Sequence, residues 1–403
     1  MLAQKSLTIH KAEKPAGISD KDKCEKVTRQ PETLMIAIAN FKENVEKPSE
    51  DLLLEDEILD ELNAIKPDNV DVCRTVVDEV LTEPQAQNLG KRLKVAVVIF
   101  GRRDSHEFDI RLKITNPDLT RRYILSTSDI NKSSTILPKD NWSRMVAILT
   151  VVALSEIYSS YDIQKARTIL EKALIHADYW KLGEGNKDNA KELAKAYFVL
   201  GQLFEKTANE NCDTLDCEKA RKAYQRAFEL DNLFYAALLN KSAIQAKLGH
   251  RESAIEDYTK IIRSGSSLKV DALVNRANLY IKQSRRPEAE EDFKQLIALD
   301  EAIGHRERAY ARLYWWNEPQ GAIKDMQRVL QLAEDDPWDY HVLGLAQVQL
   351  KREIEAQQTY QKALKYLNEE AKADMLNELN NLARQRQDLV EVVNSIIPIL
   401  KED

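Results

Sequence analysis

Residues 101–109 read GRRDSHEFD, placing Asp104, His106, Glu107 and Asp109 within six positions. Carboxylates and an imidazole this close could hold a divalent metal or pass a proton. The same stretch lies between two apolar runs, where a turn must be, and turns are polar for reasons of solvation alone. It is therefore read as a solvated turn. Cys212 and Cys217 occur in NENCDTLDC. They could close a small disulfide or supply half of a zinc site, but no second Cys or His pair accompanies them at ligand spacing, so they read as free thiols in a variable insertion. Lys187 follows GEGN without the rest of a phosphate-binding loop, and neither G-x-S-x-G nor H-E-x-x-H occurs. No reaction is specified, so the chain is expected to be non-enzymatic and to need no cofactor or metal. A different chemistry is open to residues 306–316, where Arg308, Arg312, Trp315 and Trp316 stand at i, i+4, i+7 and i+8. Guanidinium planes and indole rings together recognise acidic or aromatic groups.

What these side chains can reach depends on the helices that carry them. Residues 270–300 contain two short amphipathic segments, with Leu273, Ala277 and Tyr280 on the first and Ala289, Phe293 and Leu296 on the second. The turn Ser284-Arg285-Arg286-Pro287 separates them, and Pro287 suits the opening of a helix. One such hairpin cannot bury its own apolar face. Counterparts of Ala289 recur at Ala220, Ala254, Ala322 and Ala356, in steps of 34, 35, 33 and 34 residues. Four residues after each comes a large side chain (Tyr224, Tyr258, Phe293, Met326, Tyr360), and three further on Ala227, Ile261, Leu296, Val329 or Ala363. This rhythm resembles the tetratricopeptide (TPR) repeat, whose helix pairs stack into a right-handed α-solenoid. A divergent first copy carries Ala166, Leu170 and Ala173, and the 54-residue step from Ala166 to Ala220 leaves 20 residues over, assigned to 176–191 and 208–215. Residues 369–386 and 389–400 read as helices closing the stack, and hairpin turns are expected near Gly249, Arg285, Asn317 and Arg352.

The amino-terminal third has a different texture. Residues 1–32 are lysine-rich and broken by Pro15, Gly17 and Pro31, as a flexible leader would be. Strands are expected at 34–39, 70–74, 95–100, 108–114 and 121–126, and helices at 51–65 and 83–93. That order describes a small α/β domain over 33–140, followed by a TPR array over 141–368 and capping helices over 369–403. Residues 86–101, AQNLGKRLKVAVVIFG, resemble a segment of TolB-type amino-terminal domains, in which a strand like FDIRLKI follows; Ala96 replaces the usual acidic residue. That resemblance implies a fold but no reaction. The formal net charge of −7 argues against nucleic acid as partner. No apolar run is long enough for a membrane span, the start lacks a signal-peptide core, and four scattered cysteines make no disulfide framework, so a cytoplasmic location is expected.

The TPR resemblance implies a concave groove lined by the first helix of each hairpin. By register it carries Asn240, Ala243 and Lys247, then Asp271, Asn275, Asn278 and Lys282. Asparagine there can donate to and accept from an extended peptide backbone, or can simply be a solvated polar residue. The chaperone-binding members clamp a terminal carboxylate with two Lys, two Asn and an Arg. Only Asn240 fits that pattern; Phe198, Gln202, Asp271 and Asn275 occupy the other places, so chaperone-tail binding is not expected. If the turn here is one residue short, as the 33-residue step suggests, Arg308, Arg312, Trp315 and Trp316 face the groove, Ala311 and Tyr314 pack inward, and Trp338, His341 and Leu345 come alongside. The other reading puts Trp316 in the core and pairs the arginines with acidic residues of their own chain. The expected function is a scaffold that binds a protein or peptide, acidic or aromatic in character. The alternative is a sensory module whose α/β domain takes a small ligand near Gly101 and Asn40.

Overall fold

The computed structural model describes residues 24, 34–39, 42–43, 54–65, 70–75, 81–103, 108–114, 122–126, 140–160, 162–179, 181–182, 184–185, 187–208, 212 and 215–401. The chain forms two compact units, residues 1–234 and 235–403.

In the first unit, the short apolar runs become strands because β-branched side chains pack on a pleated surface. The elements run β1 (Leu34–Ala39), β2 (Lys42–Glu43), α1 (Leu54–Ile65), β3 (Val70–Thr75), α2 (Glu83–Leu93), β4 (Val97–Arg103), β5 (Phe108–Ile114) and β6 (Arg122–Ser126). The sheet order is β3-β1-β4-β5-β6, with β2 also on β4. Strands β3, β1 and β4 are parallel, while β5 and β6 return antiparallel. Alternation along β1 sends Met35, Ala37 and Ala39 into one cluster with Ala86, Leu89 and Leu93 of α2. The fully buried Ile36 and Ile38 belong to the other face. Helix α2 opens on a capping box, in which the Thr82 N–H donates to Gln85 Oε1 at 2.7 Å, and it runs through Gly90 without a break.

Four helices complete this unit: α3 (Asp140–Tyr158), α4 (Ile163–Tyr179), α5 (Lys187–Thr207) and α6 (Leu215–Leu230). The surplus of the long repeat step was assigned to irregular segments, yet part of it is helix, since α5 runs for 21 residues. Two sequence readings need correction. Cys212 and Cys217 are joined in a disulfide with Cα atoms 5.4 Å apart; Cys212, at φ +57°, turns its chain back towards the start of α6. Cys24 and Cys73, thought too scattered to matter, form a second at 4.9 Å. Within the stretch read as a leader, Cys24 is buried, and its N–H donates to the Arg74 carbonyl at 2.9 Å. Of the acidic cluster, residues 104–107 lie outside the described residues.

The second unit is a series of helix hairpins: α7 (Tyr235–Lys247) with α8 (Arg251–Arg263), α9 (Lys269–Lys282) with α10 (Arg286–Leu299), α11 (Glu301–Tyr314) with α12 (Pro319–Leu332), and α13 (Pro337–Gln349) with α14 (Glu353–Ala363). Helices α15 (Glu369–Gln385) and α16 (Val390–Leu400) follow. All five alanines of the repeat, with the large residues four positions on, are buried. Gly344 shows how close the two helices of a hairpin come: a Cβ there would stand 2.5 Å from the Tyr360 ring. The hairpins turn on Gly249, Ser284, Asn317 and Lys351, each at positive φ and each five residues before its alanine. At three of these turns a Schellman pair closes the first helix, for example Arg285 N–H to Tyr280 O at 2.8 Å and Ser284 N–H to Ile281 O at 2.9 Å.

Such crossings leave no room for growth. Ala289→Trp is expected to force α9 and α10 apart at a cost of about 1–3 kcal/mol or more. A melting curve indistinguishable from wild type would put Ala289 at the surface and break the repeat register.

Candidate partner-binding surface

The polar residues of the second unit divide into a buried set and an exposed one. Three of the alanines are followed, three positions on, by a buried aspartate: Asp257, Asp292 and Asp325. Each meets a cation from the first helix of its own hairpin. Lys241 Nζ lies 2.6 Å from Asp257, and Arg276 grips Asp292 with two bonds of 2.6 and 3.0 Å. Arg308 grips Asp325 in the same way, at 2.7 and 3.0 Å.

Asp325 collects two further partners, with Arg312 Nη1 at 2.7 Å from one oxygen and His305 Nδ1 at 2.7 Å from the other. The count of cations decides the electrostatics. Burial lifts the Asp292 carboxyl above its ordinary value although Arg276 pulls the other way. At Asp325 burial also pushes upward, but the bonds from Arg308 and His305 and the charges of Arg308 and Arg312 outweigh it, so that carboxyl is held below its ordinary value. A neighbouring pair joins successive hairpins: Arg306 holds the buried Asp339 of α13 at 2.6 and 2.7 Å.

These pairs correct the reading of residues 306–316. Arg308 and Arg312 are half-buried and tied to Asp325, and do not form an open concave face. The cause is the connection before α11. Asp300 ends α10 and also caps α11, accepting from the Ile303 N–H at 3.0 Å, so one residue links the two helices. The close approach needs Gly304, where a Cβ would fall 2.4 Å from the Ile297 nitrogen. Helix α11 is thereby turned so that Arg308 takes the place of Arg276. The turn to α12 compensates with a wider closure, from the Glu318 N–H to the Arg312 carbonyl at 2.7 Å.

The aromatic residues of the expected groove scatter. Trp316 is half-buried, edge-on to Phe293 with centroids 6.1 Å apart and with the Arg286 guanidinium 4.3 Å from its ring centre. Trp315 is 58% exposed and Trp338 37%. Tyr314, expected to pack inward beside Ala311, is exposed, whereas Ala311 is buried. His341 is fully buried and does not line an open face. Its Nδ1 lies 3.0 Å from the Tyr360 hydroxyl, and its Nε2 3.0 Å from Glu378 of α15.

What remains open is the polar face of α7 and α9. Asn240 and Asn275 are half-buried, while Asn278, Lys247 and Lys282 are exposed. Among the described residues no side-chain hydrogen bond or ion pair engages these five. Asn240 and Asn275 each stand 14 residues before their alanine, and Lys247 and Lys282 each 7 before, so the face repeats from one hairpin to the next. Amides that can both donate and accept, flanked by mobile ammonium groups, suit a peptide backbone and a carboxylate. Sequence reasoning missed Asp325 and Glu378. The first had a visible signal, an acidic residue three after the alanine in three successive repeats. The second had none, since its partners lie 64 and 37 positions away, at Tyr314 and His341.

This architecture defines a helix-hairpin repeat protein, in which packing residues and surface residues separate by register. Two stretches of it match the tetratricopeptide repeat profile, residues 270–303 and 340–366. Similar solved structures include a tetratricopeptide repeat protein from Parabacteroides merdae, at 14% identity over 63% of this chain and 99% of that one, with a TM-score of 0.43. Another is pilF of Pseudomonas aeruginosa, at 16% over 62% and 97%, with a TM-score of 0.40. A thermophilic TPR protein of Thermus thermophilus matches at 19% over 51% and 99%, with a TM-score of 0.33. None of these matches supports the TolB-type resemblance of the amino-terminal region. Among the described residues no helix is long and apolar enough to cross a membrane.

Proposed function

We propose that the chain is a non-enzymatic scaffold whose TPR unit holds a protein partner by an extended, acidic segment lying along α7 and α9. The observation that carries this reading is the repeating face of Asn240, Lys247, Asn275, Asn278 and Lys282, which among the described residues has no side-chain partner, while Lys241 and Arg276 on the same two helices are paired with buried aspartates. The exposed rings of Trp315 and Trp338 supply further contact area for such a partner, and aromatic residues commonly dominate interface energetics. The two disulfides favour an oxidising compartment over the cytoplasm expected from the sequence.

The test is capture of a partner on the immobilised full chain, repeated with Lys247→Glu and Lys282→Glu combined. Reversing two exposed charges leaves the core untouched, so circular dichroism should be unchanged while the partner's affinity falls at least tenfold and loses most of its salt dependence. Undiminished capture by the folded double variant would remove this face from the binding site.

A further inference from the structure

The groove side of the second unit changes character along its length. The positions 14 and 11 residues before the alanine are Asn240 and Ala243 on α7, Asn275 and Asn278 on α9, but Val342 and Leu345 on α13. An apolar pair on an open groove would be a liability, yet Val342 and Leu345 are only 1% and 2% exposed. Met375 and Leu379 of α15 join them in one buried cluster, together with Val392, Val393 and Ile396 of α16. Between these two residues Glu378 bonds to His341 of α13 at 3.0 Å and to Tyr314 of α11, and thus spans two successive hairpins. Of the 17 residues of α15 only Met375 and Leu379 are buried, with Leu376, Leu382 and Ala383 partly buried against the same cluster, whereas the shorter α13 buries nine.

We propose that α15 is an intramolecular ligand of the TPR groove, and that the site beneath it takes an amphipathic partner helix with two apolar residues four apart and a carboxylate next to the second. The inference rests on the scaffold reading and adds a second subsite, apolar and helix-binding, beside the polar face of α7 and α9. Helix α15 supplies the recognition pattern itself, Met375-x-x-Glu378-Leu379, all on one side of a helix. A partner helix with the same pattern would compete with it. Because α15 is tethered, its effective concentration is high, and the site stays closed until the partner is abundant or otherwise anchored, as it would be by the polar face. A segment with so few buried contacts opens ahead of the hairpins it covers.

The experiment uses the full chain and a fluorescent synthetic peptide of residues 369–385, read by anisotropy. Wild type should bind it weakly, because the tethered copy competes. The double variant Met375→Asp and Leu379→Asp, which releases the tethered copy, should bind it at least tenfold tighter. A peptide carrying Glu378→Lys should lose most of that gain, as should Tyr314→Phe placed in the released variant. Equal, weak binding by wild type and by a folded, released variant would overturn the proposal while leaving the charge-reversal result on α7 and α9 to stand or fall by itself. Should the released variant fail to fold, hydrogen exchange on wild type decides: amides of α15 exchanging well ahead of those in α13 and α14 support the proposal, and equal protection overturns it.

Discussion

Asp325→Ala is expected to destabilise the TPR unit by about 3–5 kcal/mol, the range for removing one partner from a buried ion cluster. Two guanidinium groups, which cannot shed their charge, converge on this carboxylate together with the His305 imidazole. Without Asp325 they would sit between α11 and α12 with only Glu318, 4.0 Å from Arg312 Nε, as counter-charge, and that Nε already has no hydrogen-bond acceptor. Asp325→Asn should cost less, because shape and some hydrogen bonding survive. Urea unfolding measures both, and a loss below about 1 kcal/mol for the alanine variant would mean that water reaches these arginines freely. The pH dependence has a definite sign. A carboxyl held below its ordinary value stabilises the fold fully above the unfolded value of about 3.9, and that contribution fades as pH falls through the lower folded value. Wild type should therefore lose stability on acidification below about pH 4 more steeply than Asp325→Asn.

Opening the Cys24–Cys73 disulfide is expected to destabilise the first unit by about 4 kcal/mol, from the chain entropy of a 49-residue loop alone. The bond fastens Cys24 to β3, and both cysteines belong to the cluster between the sheet and α2. The Cys212–Cys217 loop spans 5 residues and by the same reasoning contributes about half as much. Calorimetry should show wild type melting above Cys24→Ser/Cys73→Ser without reductant and at the same temperature as that variant when both are reduced. A transition insensitive to reductant would show that packing around Cys24 holds without the bond.

The repeat was legible because its packing is local and periodic. An alanine every 33 to 35 residues, with its followers, specified which side chains are buried and where the hairpins turn. The sheet was legible for the same reason, since alternating and continuous apolar runs carry their own period. The candidate site was only partly legible. The exposed face of α7 and α9 followed from register, whereas the α11 face did not, because Asp300 compresses a linker to one residue and turns the helix. A 33-residue step shows that a residue is missing but not on which side of the hairpin. The fate of Arg308 and Arg312 hung on that difference. Neither disulfide followed from the spacing, which cannot report that Cys24 returns to β3 or that Cys212 adopts a positive φ.

The face of α7 and α9 is most directly tested by placing a photo-crosslinking residue at Asn278, and separately at Lys294, exposed on the second helix of the same hairpin. The two positions belong to one repeat and differ in which helix of the pair they occupy. If the polar face holds the partner, the captured protein should crosslink at position 278 and not at 294. Crosslinking at 294 with none at 278 would contradict the account.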